Sequence, residues 1–130
     1  MSKRLKVLNV LSSESYADAC IKSSLNIPLA ELKSFAEYTP KDTCIVVYCA
    51  HSNCDASTRA WHILHELGFD NLFAYEGGMR EWYEAGYPVE GPCSQAYLHE
   101  HLEKKADNDH AVQSITKELL KARMEREGLL

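Results

Sequence analysis

The stretch VVYCAHSNCDASTRA, residues 46–60, joins an apolar run to a helical pattern through a polar loop that contains two cysteines. The run begins at residue 44 as CIVVYC, and a continuous, β-branched run of this length is typical of a parallel strand covered on both faces. Beyond the loop, apolar residues recur at spacings of three and four, which predicts a helix that ends near Gly68. Cys49 therefore lies where a buried strand gives way to a helix.

The chain on either side alternates between strand and helix patterns. Strands are predicted at LKVLNV (5–10) and within NLFAYEGG (71–78), and MREWYEAGYP (79–88) reads as a short helix closed by glycine and proline. Alternation of this kind predicts a three-layer α/β/α domain built on a parallel sheet. We place this domain at residues 1–92 and a C-terminal helical extension at residues 93–130.

The extension contains two helical stretches, AYLHEHLEKKA (96–106) and HAVQSITKELLKARMERE (110–127). The second stretch places Val112, Ile115 and Leu119 on one apolar stripe, and such a stripe has to be buried against another surface. That surface is either the chain's own domain or a second protein. A homodimer through the C-terminal helices is one expected outcome.

Composition excludes several classes of function. The chain has 130 residues, 45% of them hydrophobic and 25% charged, and a net charge of −5, so it lacks the basic face that nucleic acids require. No apolar run approaches the roughly 20 residues of a membrane-spanning helix, and the N-terminus does not resemble a secretory signal. Five unevenly spaced cysteines favour free thiols in a reducing compartment, which predicts a cytoplasmic protein.

The loop after the strand is the predicted active site. At the carboxyl end of a parallel strand, the following helix directs its N–H groups and positive dipole end at the loop. These amides should lower the pKa of the Cys49 thiol below about 8.5 and make it an acidic, accessible nucleophile. The alternative is that Cys49 is a small apolar strand residue with no chemistry. The predicted substrate-binding residues are Ala50, His51, Ser52, Asn53, Asp55, Ala56 and Ser57.

Three stretches resemble the single-domain rhodaneses, a family of sulfurtransferases. They are IVVYCAHSNCDAST, LHELGFDNLFAYEGGMREWYEAGYPVEG and, more weakly, VLNVLSSESYADACIKSSLNIPL, and together they cover about residues 5–91. The paired Gly77 and Gly78 followed by Trp82, Gly86 and Pro88 are specific as a set. The resemblance implies a central five-stranded parallel sheet and places the family's nucleophile at Cys49.

The resemblance also implies a mechanism. The cysteine takes a sulfur atom from a sulfane-sulfur donor, holds it as a persulfide, and passes it to a thiol or another nucleophilic acceptor. The expected partners are a small sulfur donor or thiol acceptor, or a protein sulfur carrier, and neither a metal nor an organic cofactor is implied.

The chain departs from the family pattern at three places. The interval from Cys49 to Ser57 is two residues longer than the commoner loop and contains Asp55 but no lysine or arginine. This charge pattern predicts poor activity with dianionic thiosulfate and favours persulfide or polysulfide donors. The family's Asp-Val-Arg is replaced at residues 9–11, and its glycine-alanine pair at residues 23–24. A non-catalytic rhodanese-like module is therefore the alternative, whereas phosphatase chemistry is disfavoured because it needs an arginine at position 55.

Cys54 leaves several roles open. Cys54 is expected to be one of three things: a resolving thiol that forms a disulfide with Cys49, a second persulfide carrier, or the nucleophile itself. Cys49 is favoured as the nucleophile because the end of the strand lies deepest among the backbone amides. Ser57 is expected to cap the following helix, and Arg59 to form a surface salt bridge. His51 is expected to face solvent. A zinc site from the loop ligands is disfavoured because no further ligand pair completes it.

Overall fold

A computed structural model describes residues 4–51, 54–99 and 112–130. These residues form, in chain order, β1 (Leu5–Asn9), α1 (Ser13–Asp18), β2 (Cys20–Ile21), β3 (Leu25–Asn26), α2 (Leu32–Glu37), β4 (Cys44–Tyr48), α3 (Ala56–Glu66), β5 (Leu72–Tyr75), α4 (Gly78–Glu84), β6 (Val89–Glu90) and α5 (Lys117–Arg126). The alternation of strands and helices predicted from the sequence is confirmed. No helix within these residues is long and apolar enough to cross a membrane.

The central sheet has four parallel strands in the order β3-β1-β4-β5. The predicted count of five is wrong, because β2 pairs with β6 in a separate antiparallel ribbon. A short extended segment follows the free edge of β5, where Ala74 N–H donates to the Gln113 carbonyl (2.8 Å) and Ile115 N–H donates to the Ala74 carbonyl (3.1 Å). This segment makes a single bridge, between Ala74 and Ser114, and so is too short to count as a strand.

β4 is buried on both faces, as its continuous apolar run predicts. Its side chains alternate between the two faces of the sheet. Ile45 and Val47 pack among α2 and α3, and so does Cys49, which directly follows the strand. The intervening Val46 and Tyr48 pack on the opposite face among α4 and α5. The three-layer α/β/α architecture is thereby confirmed, and the alternation directs the Cys49 side chain toward the face covered by α3.

α5 begins later than the predicted stretch at 110–127. The Thr116 side chain accepts a hydrogen bond from Leu119 N–H (3.2 Å), and this N-cap starts the helix at residue 117. Leu120 and Met124 are fully buried, whereas Leu119 is 60% exposed. The predicted stripe through Leu119 is therefore wrong, because it assumed one continuous helical phase across a segment that is extended until Thr116.

The described parts of the extension pack against the domain. Residues 96–98 of the predicted first helical stretch form a single 3₁₀ turn, and residues 100–111 lie outside the described ranges. The Asp18 carboxylate accepts hydrogen bonds from the backbone N–H groups of Ser94 and Gln95, and these bonds lower its pKa together with that from the Ser94 hydroxyl. Leu98 joins Leu120 in the apolar cluster on the α4 side of the sheet. The division at residue 92 stays a prediction about domains, but both sides of it share this cluster.

Candidate functional site

Cys49 follows the last residue of β4 and is only 1% exposed. Its sulfur lies 3.6 Å from the Cys54 carbonyl oxygen, 3.9 Å from the His51 carbonyl oxygen and 3.6 Å from the Ser57 Oγ atom. Carbonyl oxygens accept hydrogen bonds and offer none, so these two groups stabilise the protonated thiol rather than the thiolate. The surroundings of Cys49 are those of a buried hydrogen-bond donor.

Cys54 is partly exposed and lies just before Asp55, the N-cap of α3. Its sulfur accepts a hydrogen bond from the Cys49 thiol and from the backbone N–H groups of Ala56 and Ala50. These donors, with the nearby His51 ring, lower the pKa of the Cys54 thiol to about 6, although partial burial opposes them. Cys54 is consequently the thiolate of the pair at neutral pH.

The same contact acts on Cys49 in the opposite direction. Its hydrogen bond to Cys54, its burial and the negative charge on Cys54 all raise the pKa of the Cys49 thiol, while the Ser57 hydroxyl and N–H lower it less. The expectation of an acidic, accessible thiol at Cys49 is therefore wrong for the reduced protein. The predicted backbone N–H groups do bond to a sulfur in this loop, but that sulfur belongs to Cys54. They are the N–H groups of Ala50 and Ala56.

Two backbone amides of α4 hold the loop in place. Met79 N–H donates to the Cys49 carbonyl oxygen (2.8 Å), and Arg80 N–H donates to the Ala50 carbonyl oxygen (2.9 Å). Because the C=O and N–H of a trans peptide point in opposite directions, binding the Cys49 carbonyl turns the Ala50 N–H toward the Cys54 sulfur. Gly78 has φ +70°, and a Cβ there would lie 2.8 Å from the Cys49 carbonyl oxygen. The glycine pair of the sequence thus brings α4 against the loop.

Of the other predicted site residues, Ser57 contacts Cys49 and Asp55 lies at the surface. Ser57 is 2% exposed and faces Cys49, but it is not the N-cap of α3, because the helix begins one residue earlier at Ala56. Asp55 is exposed, and its carboxylate lies 3.8 Å from Arg59, which confirms the predicted surface salt bridge. The expectation that His51 faces solvent is only partly met, because the residue is partly buried. Ser52 and Asn53 lie outside the described residues.

Tyr97 approaches the site from the C-terminal extension, and nothing in the sequence predicted this. Its ring centroid is 6.1 Å from that of His51, and burial raises the pKa of its hydroxyl to about 12, with smaller contributions from nearby acidic groups that include Cys49 and Cys54. The hydroxyl is buried and has no hydrogen-bond partner within the described residues.

Two of the departures from the family pattern near the N-terminus, Asn9 and Ser24, belong to a buried network around Tyr48. The Tyr48 hydroxyl, one residue before Cys49, accepts from Asn9 Nδ2 (3.2 Å) and from Ile21 N–H (2.9 Å) and is bonded to Ser24 Oγ (2.8 Å). Burial raises the pKa of Tyr48, so the hydroxyl stays protonated. Asn9 and Ser24 thus stabilise the strands that position the loop, and their presence does not by itself indicate lost activity.

Comparison with known proteins identifies the family of the fold. The sequence model of one protein family, the rhodanese-like domain, matches residues 1–85. The thiosulfate sulfurtransferase GlpE of Coxiella burnetii is 29% identical over 83 residues, which are 64% of this chain and 75% of that enzyme. An HTH-type transcriptional regulator of Mycobacterium tuberculosis is 32% identical over 84 residues, 65% of this chain and 37% of that protein. A crystal structure of a rhodanese-related protein from Thermoplasma volcanium is 36% identical, with a TM-score of 0.58 over 66% of this chain and 83% of that one.

Proposed function

The chain belongs to the rhodanese-like domain family, and from that premise we propose that it is a sulfurtransferase that carries sulfur as a persulfide on Cys54. The donor is a sulfane-sulfur compound, and the acceptor is a thiol or another nucleophile. One observation carries the proposal: the Cys54 sulfur receives hydrogen bonds from the Cys49 thiol, from the N–H of Ala56 at the start of α3 and from the N–H of Ala50 in the loop after β4. A partly exposed sulfur in that environment is a thiolate, the form of cysteine that attacks sulfur.

The proposed reaction has two transfers. The Cys54 thiolate attacks the outer sulfur of the donor, a new sulfur–sulfur bond forms, and the donor leaves with the electron pair of the bond that breaks. An acceptor nucleophile then attacks the outer sulfur of the persulfide and regenerates the thiolate. No metal or organic cofactor takes part in these steps. The N–H groups of Ala50 and Ala56 stabilise the negative charge on Cys54 at the start and end of the cycle.

This proposal moves the nucleophile from the position that the family resemblance implies. Cys49 occupies that position, but its side chain is buried and the pKa of its thiol is raised. The side chain of Cys54 is partly exposed, and the pKa of its thiol is lowered. A donor in solution therefore meets the Cys54 thiolate first. Both cysteines stay within the proposed catalytic site, with Cys49 as the hydrogen-bond donor to Cys54.

The charge pattern of the loop disfavours thiosulfate as the donor. No lysine or arginine occurs from Ala50 to Thr58, and the first cationic side chain after them, Arg59, faces the carboxylate of Asp55. A dianion such as thiosulfate therefore gains little electrostatic stabilisation here. We propose persulfides and polysulfides as donors, a small thiol or a protein sulfur carrier as acceptor, and weak activity with thiosulfate, although relatives bear the name thiosulfate sulfurtransferase. None of the five cysteines, all of which lie within the described residues, forms a disulfide; this fits a reducing setting, and we propose the cytoplasm.

The test compares donors and cysteine variants. The protein is incubated separately with glutathione persulfide, inorganic polysulfide and thiosulfate, and the sulfur bound to each cysteine is mapped by mass spectrometry. We expect loading of Cys54 with the first two donors, little with thiosulfate, and none in Cys54→Ser. The matched control is Cys93→Ser, which removes the other partly exposed thiol and should load normally. Loading that survives in Cys54→Ser but disappears in Cys49→Ser assigns the nucleophile to Cys49 instead.

A non-catalytic binding module is the second candidate, because one relative is named a transcriptional regulator rather than an enzyme. The two candidates differ in one measurement. If no cysteine gains sulfur from any of the three donors, the module is favoured and the sulfurtransferase proposal is wrong.

A further inference from the structure

The Cys49 sulfur lies 3.6 Å from the backbone carbonyl oxygen of Cys54, and its thiol is a hydrogen-bond partner of the Cys54 side chain; sulfur transfer to an external acceptor does not use this hydrogen bond. We propose that Cys49 is a resolving thiol: it attacks the persulfide on Cys54, forms a Cys49–Cys54 disulfide and releases the transferred sulfur as sulfide. The inference rests on the proposed function, since it begins from a loaded Cys54. It adds a second activity to the site, the reduction of persulfide sulfur to sulfide.

The geometry places Cys49 behind Cys54 as seen from solvent. Cys49 is 1% exposed, whereas Cys54 is partly exposed, so a donor reaches Cys54 and only an internal group reaches the inner side of the persulfide. The Cys49 sulfur lies 3.6 Å from the Cys54 carbonyl oxygen and donates its hydrogen to the Cys54 sulfur. An attacking thiol and the sulfur it attacks are therefore neighbours before any sulfur is loaded.

Cys49 also has the groups that an attacking thiol needs. Attack requires the thiolate, and the Ser57 hydroxyl, 3.6 Å away, and the Ser57 N–H both stabilise negative charge on the Cys49 sulfur. In the reduced protein the charge on Cys54 opposes that ionisation. Once Cys54 is bonded to a second sulfur, the negative charge lies on the outer sulfur of the persulfide, one bond farther from Cys49, and this obstacle to the ionisation of Cys49 weakens.

The step balances in atoms and electrons. Cys49 attacks the Cys54 Sγ atom, so that a Cys49–Cys54 bond forms and the bond from Cys54 to the outer sulfur breaks. The outer sulfur leaves with the electron pair and takes the Cys49 proton, so it departs as hydrosulfide. In this step the Cys49 sulfur is oxidised from thiol to disulfide, the outer sulfur is reduced to sulfide, and the oxidation state of the Cys54 sulfur does not change. An external dithiol reductant then reduces the disulfide and restores both thiols for the next turnover.

A single-turnover experiment tests this step. All proteins carry Cys93→Ser, are fully reduced and freed of reductant, and are mixed anaerobically with a limiting amount of inorganic polysulfide. Sulfide is measured over time, and unreduced peptides are examined by mass spectrometry. We expect a Cys49–Cys54 disulfide to appear together with sulfide, at a rate independent of protein concentration because the attack is intramolecular.

Cys49→Ser is the decisive variant. We expect it to keep the persulfide on Cys54 and to release sulfide at least about tenfold more slowly, since it has no internal thiol for the exchange. Alkylation of Cys54 by iodoacetamide in this variant checks that the loop is intact, and Cys49→Ala provides a second version of the same deletion. Addition of an external dithiol should restore sulfide release from both variants.

The outcomes separate this inference from the proposed function. If the parent protein and Cys49→Ser hold the Cys54 persulfide equally long and no disulfide forms, Cys49 does not resolve it, and the sulfurtransferase proposal still stands. If the added sulfur moves onto Cys49 as a persulfide without sulfide release, the resolving role is also wrong. Absence of persulfide in every variant defeats both proposals together.

Discussion

Two cysteines five positions apart in the chain are surrounded by opposite kinds of polar group. Carbonyl oxygens lie against the Cys49 sulfur, whereas backbone N–H groups and a thiol lie against the Cys54 sulfur. Acceptors stabilise the protonated thiol and donors stabilise the thiolate, so the pair ionises first at Cys54. Reactivity in this loop is therefore assigned by the direction of individual peptide groups rather than by the order of the cysteines in the sequence.

The hydrogen bond from Cys49 is the largest single cause of the low pKa of Cys54, and its removal can be measured. In the Cys93→Ser protein, the rate of Cys54 alkylation by iodoacetamide should rise with pH around a midpoint near pH 6. In Cys49→Ala we expect this midpoint to move upward by at least about one pH unit, because a hydrogen bond to a charged group contributes about 1.5–3 kcal/mol. An unchanged midpoint in Cys49→Ala contradicts the assigned donor.

At the scale of secondary structure, the site forms where one strand and two helices meet. β4 delivers Cys49, α3 supplies the N–H of Ala56, and the start of α4 binds the loop carbonyls through two backbone amides. α4 comes this close because residue 78 has no side chain. The glycine pair, which reads in the sequence as an ordinary turn, is thus a part of the site.

Substitution of Gly78 tests this contact against a matched control. Gly78 and Gly86 both have positive φ, but a Cβ on Gly86 meets nothing within 4 Å, whereas one on Gly78 meets the cysteine loop at 2.8 Å. We expect Gly86→Ala to lower the free energy of unfolding by about 1–2 kcal/mol from backbone strain alone. Gly78→Ala should lose about 1–3 kcal/mol more through overpacking, with slower alkylation of Cys54. Urea denaturation compares the two, and equal losses with unchanged alkylation contradict the proposed contact.

At the scale of the whole molecule, the C-terminal segment completes the fold. Residues 113–115 follow the free edge of β5, and α5 covers the sheet face opposite α3 with Leu120 and Met124. An edge strand with unpaired backbone groups would otherwise be open to pairing with other chains. Homodimerisation through the C-terminal helices stays a prediction, but the buried side chains of α5 already have a partner surface within the chain.

The docking of α5 is tested by two adjacent leucines. Leu120 is fully buried and Leu119 is 60% exposed, so they are matched in residue type and differ in burial. Leu120→Ala should lower the free energy of unfolding by about 2–5 kcal/mol, and Leu119→Ala should change it by no more than about 0.5 kcal/mol. Chemical denaturation followed by tryptophan fluorescence measures both. A larger loss from Leu119→Ala indicates that the opposite face of α5 is the buried one.

The cysteine pair also affects global stability as a function of pH. The pKa of Cys54 is about 6 in the folded protein, against about 8.5 for an unfolded cysteine. Between these values the unfolded chain binds more protons, so stability should rise with pH and be lost as pH falls through 6. Above about pH 8.5 the raised pKa of Cys49 acts in the other direction, because the folded protein keeps a proton that the unfolded chain releases. Urea denaturation under reducing conditions at several pH values should show the rise in the parent protein and a smaller rise in Cys54→Ser.

Most of the architecture could be predicted from periodicity. The apolar run of β4 and the helix that ends near Gly68 each depend on a few neighbouring residues, and both are confirmed. The predicted start of the last helix was wrong, because a local N-cap determined the helix start rather than the spacing of apolar residues. Thr116 starts α5 later than the apolar spacing indicated, and the segment before it extends along β5. The approach of Tyr97 to the cysteines has no signal in the sequence, since it depends on where the extension packs.

The amino-acid sequence by itself determined the α/β alternation, the family and the loop in which the thiols lie, because these follow from patterns within short segments. Only the tertiary structure decided which thiol is the thiolate. Whether a sulfur holds its proton depends on its burial and on the groups that face it, and in this protein those groups come from β4, α3 and the loop that α4 anchors. Burial and hydrogen-bond partners thus shift the pKa values of two chemically identical side chains in opposite directions.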